Sequence, residues 1–532
     1  MPAGRHTKDR HVKRSSSDRH RIDALLVFLL TLVLYLATTG GSMATDIMSY
    51  EVAKNIAEHG SVAMSFNVHD MDAHRGVDGR YYSPYGIGHP LYAVPFYLAG
   101  KSAEAATGLG VGKPEAIRKA FFVIGSAFAA AATVWLSFLF ALRLGASARA
   151  AASTALVLGF GTLLGPYAKM GFNAPVAALT LLSGVYLVWT GVRDARPAML
   201  WLSGVAFGCA LLVRHELVLA TVPAGLWILI ESRGNVRAAL KRTVPVAVPV
   251  AAALLLTLAY NYARFGNVLD TGYLRDSTAA FGPVSRGLVG FVASPGRSLF
   301  LFAPVTALGL AAFPALWRRD RATAVLLGGT VAILTLFYAS NLYWDADRSY
   351  GPRYLVPLLP FLCLPLAPWF DLPPTSAWRR LLLAAVLLSV LAQAPGVLVD
   401  FSKAGYRPEQ AHLNYQRRLW TWEGSGFTLN AQAAARLIPL NVEYLAGSRP
   451  RPAIRAAEYR ATDFAEQFAF SLDFWWLYLF HARAISAPVA LGALGAFMLV
   501  AAALALALWR RCGRDPRRSR PFGPPDRSGP TT

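Results

Sequence analysis

Two carboxylates follow closely on the first apolar run of this chain. Asp46 lies in Met43-Ala44-Thr45-Asp46-Ile47-Met48-Ser49-Tyr50-Glu51, and Glu51 follows on what reads as a short amphipathic helix ending at Gly60. A positioned carboxylate serves as general base when a hydroxyl must lose its proton. An aromatic stretch comes next, Tyr81-Tyr82-Ser83-Pro84-Tyr85-Gly86-Ile87-Gly88-His89-Pro90. A base just above a membrane surface, under such a platform, suits chemistry on a lipid-borne substrate. Asp46 also fits the N-cap of the helix beginning near Ile47. Glu51 falls on a partly different helical face, so it reads as a supporting group rather than half of a tight dyad.

The complementary cations are arginines among aromatics. Tyr343-Trp344-Asp345-Ala346-Asp347-Arg348-Ser349-Tyr350-Gly351-Pro352-Arg353-Tyr354 places Arg348 and Arg353 around a Gly-Pro turn. Arginine offers a fork of donors that pairs bidentately with phosphate, although Arg and Trp also anchor span ends at headgroups. Arg297 closes Ser294-Pro295-Gly296-Arg297, Lys169 closes Pro166-Tyr167-Ala168-Lys169, and Tyr273 follows Thr271-Gly272. Arg214 stands between two apolar runs beside His215 and Glu216. A charge near membrane depth is costly: Arg214 reads either as neutralised by Glu216 at a tight turn or as a group that acts on the substrate.

The elements that must position these groups are membrane spans. The chain has 532 residues, 55% hydrophobic, and a mean hydropathy of +0.39. Apolar segments of spanning length recur, giving an all-α polytopic bundle of about twelve transmembrane helices. They lie near 22–39, 118–142, 150–165, 173–191, 198–213, 217–231, 243–262, 299–316, 322–340, 354–370, 381–399 and 484–509. With the N-terminus inside, every short inner turn is basic, as at Arg143, Arg193, Arg237, Arg318 and Arg379. That pattern predicts an N-in, C-in topology. The stretch 84–100 is expected to lie in or re-enter the membrane, because a span there would invert all later loops.

The domain plan is a disordered basic tail at 1–21, a catalytic transmembrane region at 22–399 with its first outer loop at 40–117, an outer cap at 400–483, a last span at 484–509 and a second basic tail at 510–532. Within the cap, 430–446 reads as one helix and 464–480 as an interfacial helix whose Phe474, Trp475, Trp476 and Tyr478 anchor in lipid. The outer loops carry nearly all the polar variety, so function faces that side. The net charge of +22 reflects orientation and attraction to anionic lipid; it does not point to nucleic acid. Cys209, Cys363 and Cys512 offer no outer disulfide and no metal-binding spacing. No phosphate-binding Gly-x-x-x-x-Gly-Lys-Ser/Thr motif occurs, so outer-face chemistry needs a pre-activated, lipid-borne substrate.

In these blocks the chain resembles the GT-C glycosyltransferases, specifically bacterial membrane proteins related to protein O-mannosyltransferases and the lipid A aminoarabinose transferase. The resemblance is carried by Asp46 with Tyr50-Glu51-Val52-Ala53-Lys54, by Tyr85-Gly86-Ile87-Gly88-His89-Pro90, by Asn261…Arg264-Phe265-Gly266, by Ser294-Pro295-Gly296-Arg297 and by Tyr350-Gly351-Pro352-Arg353-Tyr354, over most of 20–400. Two departures stand out. Ile47 follows Asp46 where relatives often have a second acid, and Gly88-His89-Pro90 replaces a Lys-Pro-Pro-like element. The resemblance implies inverting transfer of a sugar from a polyprenyl-phosphate donor to an outer acceptor (glycan, lipid or protein) at a bacterial plasma membrane. It assigns the base to Asp46, with Glu51 supporting. Arg353, Arg348, Arg297, Arg214 and Lys169 become candidates for the leaving phosphate, and Tyr85, His89, Tyr273, Trp344 and Tyr350 candidates for substrate contact. No metal is required, although some relatives use a divalent cation, for which Asp46 with Asp345 or Asp347 offers oxygen ligands. A transporter or flippase is the competing class, disfavoured by the lack of a repeat of spans; a non-catalytic membrane scaffold is another.

Overall fold

The computed structural model describes residues 4–40, 47–64, 73–107, 115–273, 280–403, 412–452 and 468–513, with side chains from residue 19 onward. The chain is a multi-pass helical membrane protein. Helix α1 (Gly4–Thr38) includes the first span and continues back through most of the basic tail expected to be unstructured. Arg5 to Arg21 contains no Gly or Pro, and extending an existing helix is far easier than nucleating one. The first long loop holds α2 (Ile47–His59), a hairpin of two short strands, β1 (His74–Arg75) and β2 (Tyr81–Tyr82), and α3 (Gly88–Thr107). The stretch expected to re-enter is thus mostly a regular helix. It packs on α2 and on α4 (Ala116–Arg143), with the Tyr92 hydroxyl donating to Gly125 O at 2.9 Å.

The remaining helices are α5 (Ala148–Phe160), α6 (Leu164–Ala168), α7 (Ala174–Arg193), α8 (Pro197–Val213), α9 (Thr221–Glu231), α10 (Val236–Phe265), α11 (Val284–Ala293), α12 (Leu299–Phe302), α13 (Val305–Arg319), α14 (Arg321–Ser340), α15 (Leu359–Cys363), α16 (Ala367–Phe370), α17 (Ala377–Leu398), α18 (Tyr415–Trp420), α19 (Gly426–Ala446), α20 (Trp475–His481) and α21 (Ala487–Cys512). Among the described residues, 8 helical stretches are long and apolar enough to cross a membrane, and all coincide with expected spans. The other expected spans are shorter or broken. Helix α5 stops at Gly161, 217–231 begins as a tight 3-10 turn over His215–Ala220, and Pro304 separates α12 from α13. Even the stretch Arg353–Phe370 alternates 3-10 and α turns, because Pro352, Pro357, Pro360, Pro365 and Pro368 remove backbone donors. Such backbone is tolerated at membrane depth where protein surrounds it, and Leu355 to Ala367 is buried throughout.

Helices approach closely where small residues meet. A Cβ at Gly204 of α8 would lie 2.5 Å from Val246 O of α10, so only glycine permits that crossing. The arginine-rich helix ends gather at one end of the bundle. Arg193 of α7 pairs with Glu231 of α9 at 2.7 Å and with Asp320 before α14 at 2.9 Å, while Arg511 of α21 reaches Asp23 of α1 at 2.5 Å. The long loops meet at the opposite end, where Gly40 N donates to Lys169 O and Gly296 N to Leu419 O.

The cap residues 412–452 and 468–483 sit over that loop-bearing end. Helix α19 starts at Gly426, four residues before the expected helix, because the Ser425 hydroxyl caps it by accepting from Thr428 N. Among its described residues, 468–480, the segment expected to be interfacial is helical over α20. Its indoles face the protein: Trp475 Nε1 donates to Leu36 O at 2.9 Å and Trp476 Nε1 to Ala37 O at 3.2 Å.

Candidate functional site

Helix α8 ends at Val213, and Arg214 adopts an extended backbone before the following turn. Asn173, at the N-terminus of α7, does not cap its own helix. Its side-chain oxygen instead accepts from Arg214 Nε at 3.0 Å and Nη2 at 2.7 Å. Arg214 Nη1 is buried and has no hydrogen-bond partner among the described residues. The Tyr338 hydroxyl, near the end of α14, stands beside the guanidinium and donates to Glu216 Oε1 at 3.0 Å. Arg214 and Glu216 therefore form no direct ion pair among the described residues; Tyr338 separates them.

Aromatic rings wall this polar group. Tyr354 stacks on Tyr338 with centroids 5.2 Å apart. The guanidinium carbons of Arg214 and Arg353 each lie 5.9 Å from the Tyr354 centroid, so two cations flank one ring. Arg353 also lies 5.0 Å from the Phe172 centroid, next to Asn173. Tyr273 meets Tyr85 at 5.7 Å and neighbours Glu216 and Arg214. Tyr85, Asn173, Arg214, Glu216, Arg353 and Tyr354 are all partly exposed, and Tyr273 more so.

The aromatic stretch of the first long loop is pinned to this place. Cβ atoms at Gly86 or Gly88 would collide with the Leu212–Val213 backbone, so both glycines allow the loop to lie against the end of α8. Arg264, fully buried, donates to Ser83 O and to Asn261 Oδ1 at 2.8 Å and so ties the loop to α10. His89 is buried against Phe122, with ring centroids at 5.4 Å, and near Arg214. Burial and then the neighbouring cation push its pKa down to about 3, so the ring is neutral at ordinary pH.

The structure thus brings together Tyr85, His89, Arg214, Tyr273 and Arg353 of the residues singled out from sequence. Asp46 lies outside the described residues. Glu51 is buried in α2 with its carboxylate 3.9 Å from Lys54 Nζ, and Arg348 is exposed. Four candidates have other roles. Lys169 makes a fully buried ion pair with Asp473 at 2.6 Å and also donates to Val397 O and Asp473 O, which occupies its three N–H bonds. Arg297 donates to the carbonyls of Asp345, Gly296 and Asp347 and clamps a turn in which Ala346 and Asp347 have positive φ. Trp344 is buried against Phe291 and Trp420. Tyr350 is buried against Phe302 and Phe401, with its hydroxyl on Ala392 O. Lys169, Arg297 and Tyr350 thus give their polar atoms to protein partners, whereas the buried Trp344 Nε1 has none among the described residues.

Sequence reasoning passed over Asn173, Tyr338 and Tyr354 and gave Glu216 no role beyond neutralising Arg214. Asn173 and Tyr338 sit at the ends of apolar runs, and a polar residue there was the available signal. Asp345 turns both carboxylate oxygens to the Tyr415 hydroxyl. Among the described residues, no three His, Cys, Asp or Glu side chains gather around a possible ion position.

Residues 83–259 match the family model of dolichyl-phosphate-mannose-protein mannosyltransferases. That stretch contains Tyr85, His89, Asn173, Arg214 and Glu216. The match covers about a third of the chain. No curated protein matches it significantly by sequence. Among solved structures it is similar to ArnT from Cupriavidus metallidurans bound to undecaprenyl phosphate, at 16% identity and TM-score 0.44, over 92% of this chain and 77% of that one. The apo state of the same enzyme aligns with TM-score 0.43 and 16% identity, over 94% and 78% of the two chains. The oligosaccharyltransferase AglB from Archaeoglobus fulgidus, in complex with an inhibitory peptide and a dolichol-phosphate, aligns with TM-score 0.41 and 11% identity over 81% of this chain. This chain spans 58% of its length. These superpositions are loose, at TM-scores of 0.41 to 0.44.

Proposed function

We propose that this protein is an integral membrane glycosyltransferase that transfers a monosaccharide from a polyprenyl-phosphate donor to an extracytoplasmic acceptor, with inversion. The observation that carries the proposal is the Arg214 group, which lies within the stretch matched by the mannosyltransferase family. A partly exposed guanidinium is held by a neutral amide, keeps its buried Nη1 without a partner among the described residues, and has a second arginine across a shared tyrosine ring. Cations preorganised where charge develops stabilise a departing phosphate. The N-terminus of α7, beside Asn173, adds a positive end dipole.

In the transfer, the acceptor oxygen attacks the anomeric carbon as the bond from that carbon to the phosphate oxygen breaks. The polyprenyl phosphate leaves with the electron pair, and the acceptor proton passes to a carboxylate. Asp46 is the proposed base and Glu51 its supporting group, with Arg214 and Arg353 beside the leaving phosphate and Arg348 as an outer contact. Tyr85 and Tyr273 offer ring faces to the sugar, and Glu216 and Asn173 offer hydrogen bonds. Lys169, Arg297, Trp344 and Tyr350 hold the surrounding frame. The site sits at the end of the bundle opposite the arginine-rich turns, which the positive-inside tendency assigns to the outer face of a bacterial plasma membrane, with both termini inside.

The test is transfer by the purified protein in lipid, with a panel of polyprenyl-phosphate sugars and a membrane extract as acceptor. Acceptor-dependent release of polyprenyl phosphate that disappears in Asp46→Asn is the expected result. Release unchanged in that variant removes the base assignment, and release from no donor removes the proposed donor class.

A further inference from the structure

We infer that the outer cap positions the exit of the first span, through a clamp formed by Trp475, Trp476 and the buried Lys169–Asp473 pair. This inference rests on the proposed transferase activity for its catalytic consequence, but the clamp itself is a matter of geometry. The last carbonyls of a helix have no partners within it and must find them elsewhere. At the C-terminus of α1 the cap supplies them. The Trp475 amide donates to Thr39 O at 3.0 Å, its indole to Leu36 O at 2.9 Å, and the Trp476 indole to Ala37 O at 3.2 Å.

Gly40, the next residue, is held from two further sides. Its amide donates to Lys169 O at 2.9 Å, and a Cβ there would collide with the Asp473 carboxylate. Lys169 and Asp473 are both fully buried and joined at 2.6 Å. Asp473 also accepts from the Tyr478 hydroxyl at 2.6 Å, and its amide donates to Leu398 O at the end of α17. The pair therefore ties three separate parts of the chain to the point where the first outer loop departs toward α2 and Glu51.

Two tryptophans next to a membrane usually mark an interfacial anchor. Both indole N–H groups here point into α1 instead, and Trp476 is buried. The arrangement makes Trp475 and Trp476 positioning residues: they act on the reaction through the placement of the first loop and touch no substrate. A misplacement of about 1 Å in a reacting group costs on the order of a hundredfold in rate, so loosening the clamp should appear in kcat and leave donor KM alone.

The test compares the full-length protein with the double variant Trp475→Phe, Trp476→Phe, which keeps both rings and removes both indole donors. Two readouts are needed: hydrogen exchange of the amides between Leu36 and Gly40, and kcat and donor KM per folded molecule in lipid. The expected result is faster exchange over 36–40 with kcat lowered roughly tenfold to a hundredfold and KM within about twofold. Gly40→Ala, which adds only a methyl against Asp473, should act in the same direction. Unchanged exchange overturns the clamp whatever the activity. Faster exchange with unchanged kcat overturns the positioning role, as does a lower melting temperature alone. Should wild type release polyprenyl phosphate from no donor, the proposed function fails, while the exchange measurement still decides the clamp.

Discussion

Several arginines at the two ends of the bundle meet different kinds of partner. At the arginine-rich end, cations meet carboxylates: Arg143 pairs with Asp194, Arg193 with Glu231 and Asp320, and Arg511 with Asp23. At the loop-bearing end, others meet neutral acceptors. Arg214 is held by the Asn173 amide, Arg264 by Asn261 and the Ser83 carbonyl, and Arg297 by three backbone carbonyls. A cation joined to a carboxylate is neutralised, whereas one joined to an amide keeps its charge for an anion. The uncancelled charge at Arg214 is thus a product of partner choice, since arginines are plentiful at both ends. Other cations at that end are cancelled by acids: Lys169 by Asp473, Lys54 by Glu115 and Arg118 by Glu104.

The largest expected effect tests this difference directly. Arg214→Gln should lower transfer about a hundredfold to a thousandfold, the range for losing one preorganised charge donor. Arg193→Gln at the other end should leave kcat within about twofold while lowering thermal stability. Equal losses of kcat in both would show that the two ends do not differ in function.

Lys169 supplies the next test. Lys169→Met leaves Asp473 uncompensated in the interior, a cost of about 3–5 kcal/mol, visible as a large drop in melting temperature. Lys169→Met combined with Asp473→Leu should recover most of that stability and much of the activity. A double variant that folds well but shows a donor KM raised tenfold or more would restore Lys169 as a phosphate contact.

The smallest effect concerns the acid beside that pair. Burial and the nearby Asp473 raise the pKa of Asp400 from 3.8 to about 6. The folded protein therefore holds a proton that the unfolded chain releases, and the stability this confers is present at low pH and lost as pH rises from about 4 to about 6. Asp400→Asn should flatten that portion of a melting-temperature profile. An unchanged slope would mean that Asp400 is ionised in the fold.

Much of this was legible in the chain. The apolar runs located every long span, and polar character at 81–90 and 343–354 pointed to the end of the bundle where the site lies. The Tyr85–His89 stretch, Arg214, Tyr273 and Arg353 were picked out individually, and they converge. Lys169 and Arg214 show what the sequence could not separate. Both are isolated cations in short turns after apolar runs, and nothing local separates them. One meets a carboxylate 304 positions away, the other an amide at the start of a neighbouring helix. Trp475 and Trp476 misled for a similar reason: amphipathic rings near an interface suit lipid or a helix end equally well, and only the neighbour decides.

The sequence alone determined the membrane-embedded helical character and the polarity of the two ends. Both follow from local quantities, the length of an apolar run and the charge of a turn, which act on the chain before any tertiary contact forms. Tertiary structure alone decided which cations keep their charge and which are cancelled, and that the cap holds the exit of α1. These depend on partners tens to hundreds of residues apart, chosen by packing geometry and by the high cost of leaving a buried charge or carbonyl unmatched.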